Sequence, residues 1–156
     1  MNFRMSGLSP ALFSDLFHLN DAELAARGAQ RVIADDSTPG LPCRVSLAHA
    51  EPGEELILVS YEHQPAHSPY RASGPVFARK SAKVAFDAVN VVPEPVRIRF
   101  LSARAYDAEG MIIDADVIDG SAIESLIDRY FQQDDVAYLH LHYARRGCFA
   151  CRVDRA

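Results

Sequence analysis

Tyr138-Leu139-His140-Leu141-His142-Tyr143-Ala144-Arg145-Arg146-Gly147-Cys148-Phe149-Ala150-Cys151-Arg152-Val153-Asp154 is the stretch from which the fold is read. Both halves alternate apolar and polar side chains with period two, the pattern of a half-buried strand. Arg145-Arg146-Gly147 separates them, and a closing glycine suits the left-handed residue of a three-residue hairpin loop. Such a loop sets Tyr143 opposite Phe149 and Leu141 opposite Cys151. Alternation then predicts one face made of Leu139, Leu141, Tyr143, Phe149, Cys151 and Val153. The other face takes Tyr138, His140, His142, Cys148, Ala150, Arg152 and Asp154. The apolar set is clean, and a slip by one residue would mix the two faces.

A second hairpin precedes it, joining residues 100–107 to 111–117 around Ala108-Glu109-Gly110. The same reasoning pairs Arg104 with Asp114 and Tyr106 with Ile112. It places Ser102, Arg104, Tyr106, Asp114 and Asp116 on one face. Arg104–Asp114 reads as an exposed ion pair worth well under about 1 kcal/mol. Between the hairpins a helix starts at Ser121, with Ser121 and Glu124 as a capping box. Ile123, Leu126, Ile127 and Tyr130 give it an apolar stripe.

Upstream, Ser9-Pro10 and Asn20 with Glu23 mark the starts of two short helices, and Gly28 marks a stop. Gln30–Ala34, Cys43–Leu47, Glu55–His63 and Pro75–Arg79 read as strands, whereas residues 81–95 contain Pro93 and Pro95 and resist assignment. Antiparallel pairs with helices set apart predict an α+β fold, mainly antiparallel sheet.

At 156 residues, 49% hydrophobic and 24% charged, the chain can bury a core as one domain. No apolar run approaches the roughly 20 residues of a membrane helix. The start, Met1 to Leu8, lacks the apolar stretch of a secretory signal, so a cytoplasmic location is expected. Three cysteines, an odd number, do not suggest a disulfide framework. A net charge of −5 disfavours non-specific nucleic-acid binding. The charge is uneven: residues 69–104 carry 7 basic and 2 acidic side chains, and residues 136–156 carry 4 and 1. Those two segments are where a local anion site would form.

The polar chemistry gathers in three places. His140-Leu141-His142 points two imidazoles the same way, and Cys148, His63 or His67 could complete a metal set. Paired histidines on a strand are more often hydrogen-bonded cleft residues, so no metal or other cofactor is expected. Cys148 and Cys151 stand three apart in a strand, which sends their sulfurs to opposite faces and rules out a redox pair. Cys148, following Arg145-Arg146, is a candidate nucleophile with a histidine base. Pro69-Tyr70-Arg71-Ala72-Ser73-Gly74-Pro75 combines a stiff backbone with hydrogen-bond donors, as an anionic ligand requires. No phosphate-binding glycine loop, H-E-x-x-H or G-x-S-x-G is present.

Several of these segments occur together in one family. Pro42-Cys43-Arg44-Val45-Ser46-Leu47, Glu51-Pro52-Gly53-Glu54-Glu55-Leu56 and Tyr61-Glu62-His63 are three of them. Ser68-Pro69-Tyr70-Arg71, Ser73 to Phe77, Arg104-Ala105-Tyr106-Asp107 and the ending His140 to Cys148 are the others. With them the chain resembles the family of small bacterial proteins catalogued as domain of unknown function 1203. The resemblance implies a stand-alone bacterial domain and brings no activity, cofactor or catalytic residue with it. One departure is Cys151, where the family usually has a small residue.

The expectation is a site for a small anionic ligand, for binding or catalysis. Tyr70, Arg71, Ser73, Arg79, Arg145 and Arg152 would hold the ligand. His63, His140 and His142 would transfer protons, and Cys148 would supply a nucleophile. The alternative is a non-catalytic interaction module, with the hairpins forming a homodimer surface.

Overall fold

The computed structural model describes all 156 residues. Nine strands and three helices follow in the order β1 (Phe3–Ser6), α1 (Asp21–Ala26), β2 (Ala29–Ile33), β3 (Glu55–Gln64), β4 (Ala72–Arg79), β5 (Asp87–Val89), α2 (Glu94–Arg97), β6 (Phe100–Tyr106), β7 (Ile112–Asp119), α3 (Ile123–Phe131), β8 (Tyr138–Tyr143) and β9 (Phe149–Arg155). All strand pairs are antiparallel, in a six-stranded sheet of order β5-β1-β9-β8-β6-β7 and a three-stranded sheet of order β2-β3-β4. This is the expected α+β class. No helix is long and apolar enough to cross a membrane.

One face of the larger sheet carries Leu101, Ala103, Ala105, Leu139, Leu141, Cys151 and Val153, and packs with Ile123, Leu126, Ile127 and Tyr130 of α3 into the main core. The apolar stripe read from α3 is therefore the buried one. Its start differs from expectation: the cap is Asp119, whose carboxylate accepts from the Ser121 N–H across a short 3-10 turn. Glu124 is drawn instead to Arg97, so no Ser121–Glu124 capping box forms. The Asn20–Glu23 box does form at α1.

The opposite face of β8 and β9 is not left to solvent. The smaller sheet meets it, with Tyr61 and His63 of β3 against the Phe149 ring. Cover on both faces of β8–β9 accounts for the break in strict alternation at its tip. In β8–β9, Leu141 pairs with Cys151 as expected, but His142 pairs with Phe149, so β9 holds one extra residue at Ala150. The Tyr143 N–H donates to the Cys148 carbonyl, closing a four-residue loop rather than three. This bulge turns Phe149 onto the histidine face and carries Cys148 away from it.

The first hairpin has the same feature. Tyr106 pairs with Ile112, but Asp114 lies opposite Ala105 and Ala115 opposite Arg104. The expected Arg104–Asp114 pair does not exist. Asp114 instead accepts from Gln133, just past α3, and Asp116 from Arg129 of α3. Charges along the outer strand β7 also oppose edge-to-edge pairing with another sheet.

Two further differences matter for the site. Residues 43–47 do not form a strand; beyond a bridge from Cys43 to Phe77 the chain turns, with Leu47 at φ 48°. A turn leaves no outward alternate position, so Cys43, Arg44 and Val45 are all buried. Residues 3–6, unassigned from sequence, form β1 inside the larger sheet, because Phe3 and Met5 fill its core face.

Candidate functional site

Two polar clusters occupy opposite faces of the β8–β9 pair. On the face toward the smaller sheet, His140 and His142 stand two apart on β8 and meet His63 from β3. Ring centroids are 4.9 Å apart for His63–His142, 6.1 Å for His63–His140 and 6.5 Å for His140–His142. Phe149 stacks on His63 and stands nearly perpendicular to the other two rings. Gln64 donates to the Tyr138 hydroxyl at 2.8 Å, tying β3 to β8 beside them.

All three imidazoles are buried. Burial, reinforced by neighbouring positive groups, pushes His140 down to about 3. Burial likewise pushes His142 down to about 4, against a partly compensating bond to the Gly147 carbonyl. His63 is lowered by burial and by Arg104. Each ring is therefore neutral at pH 7 and offers a lone pair. The His142 Nδ1 lies 2.9 Å from the Gly147 carbonyl, so it carries the proton and leaves Nε2 as the acceptor. That Nε2, with Nδ1 of His63 and of His140, is buried without a hydrogen-bond partner. A buried polar atom left so costs about 1–3 kcal/mol. Arg104, directly across from His140, is half-buried and makes no ion pair.

The second cluster lines a pocket of about 510 Å³ at the end of the core layer. Arg44, Arg99, Arg145, Arg146, Tyr143 and Cys148 contribute polar groups, and no acidic residue lines it. Arg44 is 2% exposed. Its Nε donates to the Phe149 carbonyl at 2.7 Å and its Nη1 to the Pro42 carbonyl at 2.5 Å. Arg99 is held by the Pro95 and Gly40 carbonyls and by His49. Both guanidinium groups lie over the Tyr143 ring, 4.9 and 5.1 Å from its centre. The Tyr143 hydroxyl is buried without a partner, and burial pushes its pKa up to about 12.

The residues named from sequence thus separate. His63, His140 and His142 converge as expected. Cys148 is a correction: it lies in the arginine pocket with Tyr143, across the sheet from the histidines, so no histidine of that set can serve it as a base. Arg145 joins it there. Arg71 instead pairs with Glu62 in solvent, while Tyr70 and Ser73 are exposed. Arg79 pairs with Glu54 on the smaller sheet. Arg152 lies 3.9 Å from the Tyr138 ring centre and pairs with Asp154 at the rim. Arg44, Arg99, Arg104 and Arg146 were not among the expected ligand-binding or catalytic residues. Arg44 did carry a signal, a lone charge inside the apolar run Cys43 to Leu47.

A family model described as protein of unknown function (DUF1203) matches residues 40–155. That span contains every residue of both clusters and leaves out β1, α1 and β2. No curated protein and no solved structure matches the chain.

Proposed function

We propose that this chain, which belongs to the DUF1203 family, binds a small anionic molecule in the pocket walled by Arg44, Arg99, Arg145 and Arg146. The observation that carries the reading is Arg44, a fully buried guanidinium with no carboxylate partner. Two carbonyl oxygens satisfy some of its donors but do not neutralise its charge. A buried charge is stable where an opposite charge or a bound ion meets it. Arg99, half-buried and also without a carboxylate hydrogen-bond partner, adds a second guanidinium over the Tyr143 ring. A guanidinium presents planar paired donors that match carboxylate and phosphate oxygens. The partnerless Tyr143 hydroxyl adds a neutral donor, and the volume suits a metabolite-sized ligand.

The test uses inorganic phosphate, pyrophosphate and citrate at constant ionic strength, with thermal unfolding and calorimetry as readouts. At least one should stabilise the protein saturably. Arg145→Ser/Arg146→Ser, both at the exposed hairpin tip, should weaken that binding about tenfold or more without lowering the ligand-free melting temperature. Uniform weak stabilisation by every anion, unchanged in the double variant, would reject the reading.

A further inference from the structure

We infer that His63, His140 and His142 form a binding site for one divalent transition-metal ion of the zinc class, with a fourth position beside Arg104 that takes an anion. The two sites occupy opposite faces of β8–β9, and this inference is independent of the arginine pocket.

The first support is convergence. One ring nitrogen from each histidine can be chosen so that all three lie within 4.8 Å of one another. Imidazole nitrogens around a tetrahedral zinc sit about 3.4 Å apart, so modest side-chain rotations close the set. The ligands come from two sheets, with the His-x-His pair of β8 presented on one face and His63 entering from β3. The aromatic ring of Phe149 touches all three imidazoles and restricts their tilt.

The second support is the state of the ring nitrogens. Most buried side-chain polar atoms, imidazole nitrogens included, have at least one hydrogen-bond partner. Here three neighbouring rings each keep a buried nitrogen without a partner. In His142 the other nitrogen is bound to the Gly147 carbonyl, which fixes the tautomer with Nε2 free. Such a carbonyl is the usual outer partner of a metal-bound imidazole.

The donor set then selects the ion. Three neutral imidazoles, with no carboxylate or thiolate among them, suit zinc, copper, iron, cobalt or nickel and offer calcium and magnesium little. Three protein ligands also leave a position open. Neutral donors cancel none of the ion's charge, and Arg104, unpaired across from His140, adds one more. The open position therefore attracts an anion, with the guanidinium as its second contact.

The test uses full-length protein freed of any histidine tag and stripped with a chelator. Cobalt should bind at one equivalent with the visible bands of a low-coordinate site, and zinc should displace it. Zinc should also raise the melting temperature of the unmutated protein, a readout that needs no variant. His63→Gln and His142→Gln should weaken zinc binding in chelator competition by more than the roughly 10–100-fold typical of outer-shell changes. His67→Gln, an exposed histidine, should have no effect. Absence of cobalt uptake and of any zinc-induced melting shift in the unmutated protein would overturn the assignment. So would full uptake by both variants. Azide should change the cobalt spectrum, and Arg104→Leu should weaken that response; an unchanged response would remove the anion position while leaving the metal.

Discussion

The His63 imidazole and the Phe149 ring stack with centroids 5.4 Å apart and planes 5° from parallel. This contact joins β3 of the smaller sheet to the start of β9 in the larger one. Phe149→Ala should cost about 3–5 kcal/mol, as large aromatic truncations in cores do, and Phe149→Leu distinctly less. Urea unfolding monitored by circular dichroism measures both. A loss below about 1 kcal/mol for the alanine variant would mean that the stack does not hold the sheets together.

Thiol labelling should distinguish the three cysteines. Cys148 is partly exposed at the arginine pocket, whereas Cys43 and Cys151 are fully buried. Cys148 should be modified first in the native protein, and the other two only on unfolding. Mass spectrometry of labelled peptides reads the order. Cys151→Ser should cost about 1–3 kcal/mol for burying a hydroxyl without a partner, and Cys148→Ser little. Native labelling of Cys151 ahead of Cys148 would contradict the β9 register.

Cys151 also sets an alkaline limit. Burial pushes its thiol up to about 12, while in an unfolded chain a thiol ionises near pH 8.5. Above that value the unfolded chain releases a proton that the fold retains. The contribution is therefore fully present below about pH 8.5 and is lost as pH rises toward the folded value. The urea midpoint should fall between about pH 8 and 10, and Cys151→Ala should fall less steeply over the same interval. Parallel slopes would show that the thiol is not the group responsible.

Two glycines should behave oppositely. A Cβ on Gly120 would run into the Val96 carbonyl oxygen, a backbone atom that cannot step aside. Gly120→Ala should therefore destabilise by at least about 3 kcal/mol. A Cβ on Gly74 would meet nothing within 4 Å. Gly74→Ala, inside β4, should be neutral or stabilise by up to about 1 kcal/mol. Thermal melts of the two variants decide it, and similar melting temperatures would contradict the close approach of α2 to the 3-10 turn after β7.

Much of this was legible along the chain. The β6–β7 and β8–β9 hairpins showed in period-two alternation and glycine-closed turns, and the α3 stripe showed in helical spacing. His140 and His142 had to share a face because strand geometry alone requires it. Cys148 was misplaced because alternation assumes an unbroken ladder, and a bulge obeys a contact that lies elsewhere in the chain. Phe149 turns toward His63 and Tyr61, which are about ninety residues away in sequence.

The antiparallel hairpins, the amphipathic α3 and the His-x-His pair can be read along the chain, because each follows from local periodicity and turn chemistry. Which face the hairpin tips present, the arrival of His63 beside the pair, and the burial of Arg44 without a counter-charge emerge only in the folded molecule. Those outcomes depend on the second sheet docking against β8 and β9. Docking is a long-range packing event that rewards covering both faces of the pair, and no local pattern encodes it.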